Sequence, residues 1–463
     1  MNLTFIVALH IAATTGLAIY ALHELMLLLL ALRRVAPAAA RPVADAELPM
    51  VCVQLPIYNE GAIAARVIAA ASGLDYPAEK LRLQVLDDSD DGVTSLIAQE
   101  ACGVSRSRGI CVDYVVRPDR SGYKAGALQH GLPRTRGDFL AIFDADFVPA
   151  PDFLRALFAR RPFDDPRVCF AQARWEFLNR DVNTVTRGQA LMLDMHFMIE
   201  QPARSNNGLM LNFNGTGGVW RRSCVEALGW EGDTLAEDLD LSYRAELAGW
   251  RGVYLADIGA PGDLLPQFAA FMQQQARWSR ASAQNVRKLM PRILQSMKPG
   301  WVKAAAMLHI TGYLLNIFLL ILTLTLPWVG GRADLLPGWF GSFSLLGMLP
   351  IAVMAVAHAR RARSLPKLMR DLPMAVVFGI GFAASDVDAW LRGFFSKRTG
   401  SWRPSPKGGA RSSRRMPWME AGLALYCAAG MFALAVQGQG LAAITVGLYA
   451  VCHAVVVGFC IVD

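Results

Sequence analysis

Four groups of acidic, basic and aromatic residues occur in a fixed order near the middle of the chain. They are Asp87-Asp88, Asp144-Ala145-Asp146, Glu237-Asp238 and Gln274-Gln275-Ala276-Arg277-Trp278. Each supplies something that chemistry on a sugar nucleotide requires. Two carboxylates two residues apart on an extended or turning backbone can share one Mg2+ or Mn2+, which keeps several waters and bridges phosphates; Asp144 and Asp146 have that spacing. Asp88 can hold the nucleotide base or ribose, with Asp87 and Asp91 as rivals. Lys124, in Gly122-Tyr-Lys-Ala-Gly126, opens a helix after a glycine-containing loop and suits a diphosphate. Asp238 opens a later helix, whose dipole favours the ionised carboxylate that a general base must be; Glu237 competes for the role. Gln274, Arg277 and Trp278 share one helix face. There Arg277 can stabilise the charge on a departing diphosphate, and Trp278 offers a ring to an acceptor sugar.

Singly, each signal has an ordinary structural reading. Asp-Asp after a strand is often a turn or cap, and a basic helix with a tryptophan is often an interfacial anchor. Their placement gives them weight. Apolar runs at 50–55, 81–86, 110–116 and 139–143 read as strands, alternating with helices at 60–72, at 92–102 and from Lys124. Such alternation predicts an α/β domain with a mostly parallel, Rossmann-like sheet, whose ligands lie beyond the strand carboxyl ends. Asp87, Asp88, Asp144 and Asp146 fall at that edge with Tyr58 and Glu60. Further on, 170–177 reads as a strand, 183–200 and 238–247 as helices, and Asn214-Gly-Thr-Gly-Gly218 as a tight turn.

The chain has 463 residues, 54% of them hydrophobic, and a net charge of +8, too apolar for an ordinary soluble enzyme. The excess lies in blocks at 5–32, 305–329, 339–357, 418–436 and 441–462, each near the ~20 residues that cross a bilayer. The first block has no basic start, is long and lacks a small-residue cleavage site, so it reads as a retained anchor. Arg33, Arg34 and Arg41 follow it, which orients 36–300 to the cytosol. The stretch 372–395 carries Asp386, Asp388 and Arg392 and reads as an interfacial amphipathic helix. The expected layout is an N-terminal span in 1–35, a cytosolic domain 36–262 and interfacial helices 263–300. Two spans in 301–359, a cytosolic segment 360–416 and two spans in 417–463 follow. That makes a multi-pass protein of the plasma (inner) membrane facing the lipid bilayer. Eight scattered cysteines without a CxxC pair read as reduced thiols, and no motif suggests nucleic acid.

The ordered set Asp88, Asp144-x-Asp146, Glu237-Asp238, Gln274-x-x-Arg277-Trp278 resembles the membrane-embedded, inverting family 2 glycosyltransferases. It is most similar to the cellulose-synthase-like A and C proteins that make mannan or glucan backbones. Gln54-Leu-Pro-Ile-Tyr-Asn-Glu60, Lys124-Ala-Gly-Ala-Leu128, Asp194-Met-His-Phe197 and Phe213-Asn-Gly-Thr216 support the likeness, which covers about 50–300 strongly. The resemblance implies a GT-A fold, a divalent metal and a nucleotide sugar donor. It implies Asp238 as base and a donor site of Tyr58, Glu60, Asp88, Lys124, Asp144, Gln274 and Arg277. Trp278 with Phe213, Asn214, Gly215 and Thr216 would meet the growing glycan acceptor. Trp402-Arg-Pro-Ser-Pro-Lys407 resembles a gating loop over the donor, which brings in Lys407. Ala236 departs from the Thr that many relatives carry before Glu-Asp.

The expected activity is processive polymerisation of a β-linked hexose, a β-1,4 glucan or mannan, with passage of the product across the membrane. UDP-glucose is preferred as donor over GDP-mannose. Transfer of one sugar to a lipid such as a ceramide, sterol or polyprenyl phosphate is the alternative. A catalytically dead scaffold or pure transporter would lack one of the acids, and none is missing.

Overall fold

The computed structural model describes residues 2–33, 39–396 and 417–462. After helix α1 (Leu3–Leu32), strand and helix alternate: β1 (Val51–Ile57), α2 (Ala62–Ser72), β2 (Leu81–Asp87), α3 (Val93–Ser107), β3 (Cys111–Val116), α4 (Tyr123–Gly131) and β4 (Phe139–Ile142). The chain continues through α5 (Phe153–Ala159), β5 (Val168–Phe177), α6 (Thr184–Met195), a π-helical turn His196–Glu200, α7 (Gln201–Asn206), β6 (Gly218–Arg221), α8 (Arg222–Leu228), α9 (Glu237–Leu247) and β7 (Arg251–Gly262). Helices follow: α10 (Phe268–Gln295), α11 (Gly300–Ile310), α12 (Leu314–Val329), α13 (Phe340–Ser344), α14 (Leu349–Arg360), α15 (Leu365–Gly381), α16 (Ala383–Phe395), α17 (Trp418–Val436) and α18 (Gly440–Val462).

The seven strands form one sheet in the order β3-β2-β1-β4-β6-β5-β7. β1 to β4 are parallel, β6 runs antiparallel to both β4 and β5, and β7 is parallel to β5. β1 is buried along nearly its whole length, as a central strand covered on both faces must be. Helix α2 buries Ala64, Val67, Ile68 and Ala71, a 3–4 spacing that turns one stripe onto the sheet. That face carries Val53, Leu55, Leu83, Val85 and Phe143, while Cys52, Leu86, Leu140, Ile142 and Trp220 pack with α4, α8 and α9 on the other. The α/β sheet expected from the sequence is therefore present, as a GT-A-like sheet with one reversed strand.

Helices α1, α17 and α18 are each long and apolar enough to cross a membrane. The α11–α12 pair, bent by 62°, and the α15–α16 pair, bent by 45°, pass the same test only as broken spans. The 305–329 block therefore differs from one straight span. The 339–357 block is α13, a short 3-10 turn and α14 in succession, and Leu345–Arg360 is an apolar helix shorter than a span. The stretch read as one interfacial helix at 372–395 is the bent pair α15–α16. Helix α16 is fixed along α10: Ser279 Oγ donates to the Asp386 carbonyl at 2.7 Å, and a side chain at Gly393 would meet the Arg280 carbonyl at 2.4 Å. Of the spanning residues singled out by position, Tyr313 donates to Gln275 Oε1 at 2.9 Å, Asn316 donates to Asp386 at 3.0 Å, and Trp390 is buried. All eight cysteines are free.

Candidate active site

Strand polarity creates the site. β1, β2, β3 and β4 end at one edge of the sheet, and β6, running the other way, begins there: Ile142 pairs with Gly218. The turn before β6 therefore meets the acids after β4. Gly217 N–H donates to the Ile142 carbonyl at 2.9 Å, and Asp144 N–H donates to Thr216 Oγ1 at 2.9 Å. β7 ends at the same edge, where Asp263 N–H donates to the Asp146 carbonyl at 3.1 Å and Arg66 pairs with the Asp263 carboxylate at 2.5 Å.

Lys124 stands at the centre. Its Nζ donates to Asp144 Oδ1 at 2.5 Å and to the Gly215 carbonyl at 2.9 Å, and lies 3.8 Å from Glu237 Oε1. Gly215 has φ +80°, and a Cβ there would sit 3.0 Å from Asp238 Oδ2 and 3.4 Å from Lys124 Nζ. Only glycine combines that backbone with such closeness. Glu237 and Asp238 form the first turn of α9, where Asp238 Oδ1 accepts the Leu239 N–H at 2.9 Å.

The electrostatics follow from crowding. Burial works to strip the Lys124 charge, but Asp144 and Glu237 hold its ammonium above the usual range. Burial also lifts Glu237, with Lys124 opposing. Asp238 is pushed up to about 7 by burial and by the neighbouring Glu237 carboxylate. On α10, burial lowers Arg277 while Glu237, Asp144 and Asp146 act to keep its charge. Two cations and four carboxylates from separate segments thus feel one another at a single site. A carboxylate titrating near neutrality there is suited to removing a hydroxyl proton.

The second acid cluster sorts itself out. Asp87 is buried and accepts from Ser89 N–H at 2.9 Å, from Ser95 Oγ at 2.7 Å and from the Tyr114 hydroxyl. Asp91, two residues before α3, accepts from Thr94 N–H at 2.8 Å and from Thr94 Oγ1 at 2.7 Å. Both rivals of Asp88 are thereby committed to structure. Asp88 receives two parallel bonds from Arg117, at 2.7 and 2.6 Å, and Arg117 also donates to the Tyr123 carbonyl at 2.8 Å, one residue before Lys124. Tyr58 and Glu60 follow β1; Tyr58 donates to Asp90 at 3.2 Å and its ring is covered by the Arg120 guanidinium at 3.2 Å.

The expected residues therefore divide. Lys124, Asp144, Gly215, Thr216, Glu237 and Asp238 meet directly, and Asp146 and Arg277 share their field. Tyr58, Glu60 and Asp88 lie along the same edge, beside the loop that opens α4. Gln274 and Trp278 are half-buried on the helix that carries Arg277. Phe213 is a correction: its ring is fully buried against Phe170 and Trp220, so it serves the core and presents no face to an acceptor. Thr216 is also buried, and its hydroxyl holds the Asp144 backbone. Lys407 and the gating-like segment 402–407 lie outside the described residues.

Arg117 and Arg120 were missed by the sequence reading, although both follow β3 at the edge the parallel-sheet rule points to. The hard oxygens of Asp144 and Asp146 suit a divalent cation, and the Asp144 side chain keeps 32% of its surface exposed. Among the described residues, a different trio (Glu231, Asp233 and Asp240) has its carboxylates close enough to hold an ion. Lys288 Nζ already stands among them at 2.6, 2.6 and 2.9 Å.

Comparison with known proteins agrees with this geometry. A probable glucomannan 4-beta-mannosyltransferase 9 of Oryza sativa subsp. japonica is 43% identical over 261 residues, 55% of this chain and 49% of that protein. Glucomannan 4-beta-mannosyltransferase 2 of Arabidopsis thaliana is 42% identical over 256 residues, 54% and 47% of the two chains. The chain spans about half the length of these curated relatives. Among solved structures, a mannosyltransferase from Pyrobaculum calidifontis in complex with GDP-Man and Mn2+ shares the fold at TM-score 0.55 and 20% identity, covering 85% of this chain and 99% of its own. Residues 49–281, half of the sequence and all of the acids and cations just described, match the pattern described as "Glycosyltransferase like family 2", and the chain belongs to that family.

Proposed function

We propose that the chain is an inverting hexosyltransferase that adds mannose from GDP-mannose to the end of a β-linked glycan, built processively and passed across a membrane. The observation that carries this reading is the meeting of Lys124, Asp144, Glu237 and Gly215 beside Asp238. The sequence-based preference for UDP-glucose gives way, because the curated relatives are named 4-beta-mannosyltransferases and the solved fold neighbour holds GDP-Man with Mn2+.

Asp144 and Asp146 would hold the divalent metal, which when bound neutralises charge on the donor diphosphate. Lys124 and Arg277 add fixed positive charge where the nucleoside diphosphate departs, and their burial strengthens that interaction. Asp238 takes the proton from the acceptor hydroxyl as its oxygen bonds to the anomeric carbon from the face opposite the leaving group. The new glycosidic bond then has inverted configuration. Glu237, beside Lys124, keeps the ammonium in place. Asp88 with Arg117, and Tyr58 with Arg120, form the nucleotide end of the site. Trp278 and Asn214 face the acceptor. The apolar helices α1, α17 and α18, with the bent pairs, hold this domain against the cytosolic side of the bilayer.

The test is to reconstitute the purified chain in lipid and supply labelled GDP-mannose or UDP-glucose with Mn2+ or Mg2+. The product is then digested with linkage-specific hydrolases. Long chains cut by a β-1,4-mannanase are expected. A single sugar on extracted lipid would overturn the polymerase reading, and transfer from UDP-glucose alone would overturn the donor.

A further inference from the structure

The backbone around Asp146 is held by contacts that the proposed mechanism does not use. Asp146 follows β4 in a loop, and its carbonyl accepts two hydrogen bonds, from the Asp263 N–H at 3.1 Å and from Arg66 Nη2 at 3.3 Å. Arg66 is an exposed residue of α2, and the same Nη2 lies 2.5 Å from Asp263 Oδ2. One guanidinium therefore ties the loop after β4 to the residue that follows β7. The two segments are paired beside that point as well. Val148 N–H donates to the Pro261 carbonyl at 2.8 Å, and Phe147 bridges to Gly262, where a Cβ would sit 2.9 Å from the Phe147 ring.

Beyond Asp263 the chain runs as a short strap to α10, and three side-chain amides fix it, one residue each. Asn179 Nδ2 donates to the Leu264 carbonyl at 2.8 Å, while Leu264 N–H donates to Asn179 Oδ1 at 2.8 Å. Gln189 is buried; its Nε2 donates to the Leu265 carbonyl at 2.6 Å and its Oε1 accepts the Leu265 N–H at 3.3 Å. Asn183 Nδ2 donates to the Pro266 carbonyl at 2.8 Å. Every backbone polar group from 264 to 266 thus has a partner, as a rigid segment requires. Two residues later begins α10, which carries Arg277, and the Asp146 carboxylate acts on that arginine across the site.

A carboxylate serves a divalent cation only where its backbone is fixed, because the ion demands defined geometry and the groups behind each ligand set its orientation. We infer that Arg66 is a positioning residue for the metal-binding acid: by bridging the Asp146 carbonyl and the Asp263 carboxylate, it fixes the Asp146 backbone against the strap. The metal and Arg277 are then set from one support. This rests on the glycosyltransferase reading above.

The test is a Mn2+ titration of the full-length, lipid-reconstituted chain with GDP present, read by the paramagnetic resonance of free Mn2+. Arg66→Ala is expected to raise the Mn2+ Kd about tenfold, with the GDP Kd in EDTA within twofold of wild type. Arg66→Met keeps the aliphatic stem; it should show the same rise, and it carries the test if the alanine variant does not fold. Arg66→Lys, which keeps a cation for Asp263, should return to within about threefold of wild type. Loss of Arg66 also leaves the Asp263 charge unpaired, so charge and position must be separated. Arg66→Ala/Asp263→Asn restores the local net charge, and positioning requires its Mn2+ affinity to stay about tenfold weak. Wild-type Mn2+ affinity in a folded single variant lacking the cation, or in the double variant, overturns the inference and leaves the donor reading intact. A wild-type chain in which Mn2+ and GDP do not strengthen each other's binding ends both.

Discussion

Asp238→Asn separates the chemistry of the site from its architecture. The amide is isosteric and its oxygen can still accept the Leu239 N–H, so the first turn of α9 is preserved. What disappears is the proton acceptor, a contribution of about 10²–10⁴ in rate. The same substitution has a consequence for stability whose sign is set by the environment. The folded chain holds the Asp238 proton to about 7, against an ordinary value of 3.8, because burial and Glu237 disfavour the charge. The stability tied to that proton is complete below the unfolded value and drains away as pH rises from about 4 to about 7. At roughly 1.4 kcal/mol per pH unit the ceiling is about 4 kcal/mol, shared in part with Glu237. Asp238→Asn should therefore match wild type near pH 4 and unfold at higher temperature at pH 8, while transfer falls by about 10²–10⁴ and the GDP-mannose Kd stays within threefold. Wild-type activity should in turn fall about tenfold per unit below pH 7. Thermal unfolding of the detergent-solubilised chain across pH, with initial rates on the same samples, reads both. Full turnover in the variant removes Asp238 as base; equal stabilisation at pH 4 and pH 8 refutes the burial argument.

Asp146→Ala should weaken Mn2+-dependent GDP-mannose binding at least tenfold, about 1.4 kcal/mol, in a titration with and without EDTA; unchanged affinity refutes the coordination. Gly215→Ala places a methyl against Asp238 Oδ2 at a positive φ, costing about 1–2 kcal/mol of backbone strain and most of the turnover; wild-type kcat would show that the turn is not tied to the base. Arg117→Ala strands the buried Asp88 carboxylate and should cost about 3–5 kcal/mol, measured as a fall in thermal unfolding temperature, with Arg117→Ala/Asp88→Asn recovering part of it.

The strands after which the acids fall were legible because short apolar runs ending in Asp or Tyr-Asn-Glu mark a parallel sheet from sequence alone. The reversed strand β6 was not: four residues, Gly218-Val-Trp-Arg221, carry too little pattern, and only pairing with β4 and β5 makes them a strand. β7 contains Gly252, Gly259 and Pro261, which hide it in the same way. In the apolar region composition spoke clearly but continuity did not, since the breaks at Thr311–Tyr313 and Phe382 depend on how neighbouring helices pack. In the site, residue types pointed to Lys124, Asp144 and Asp238. The support given by Arg117 to Asp88 spans 29 residues, and no local spacing announces it.

The reversed strand has one more implication. Because Ala141 faces Val219 and Val219 also faces Ala171, the turn before it is clamped in register from two sides. A one-residue insertion within 218–221 would turn the remaining side chains of β6 to the opposite face of the sheet. A chain with such an insertion is therefore expected to lose the pairing of β6 with β4 and β5, and with it the hold of Thr216 on the Asp144 backbone.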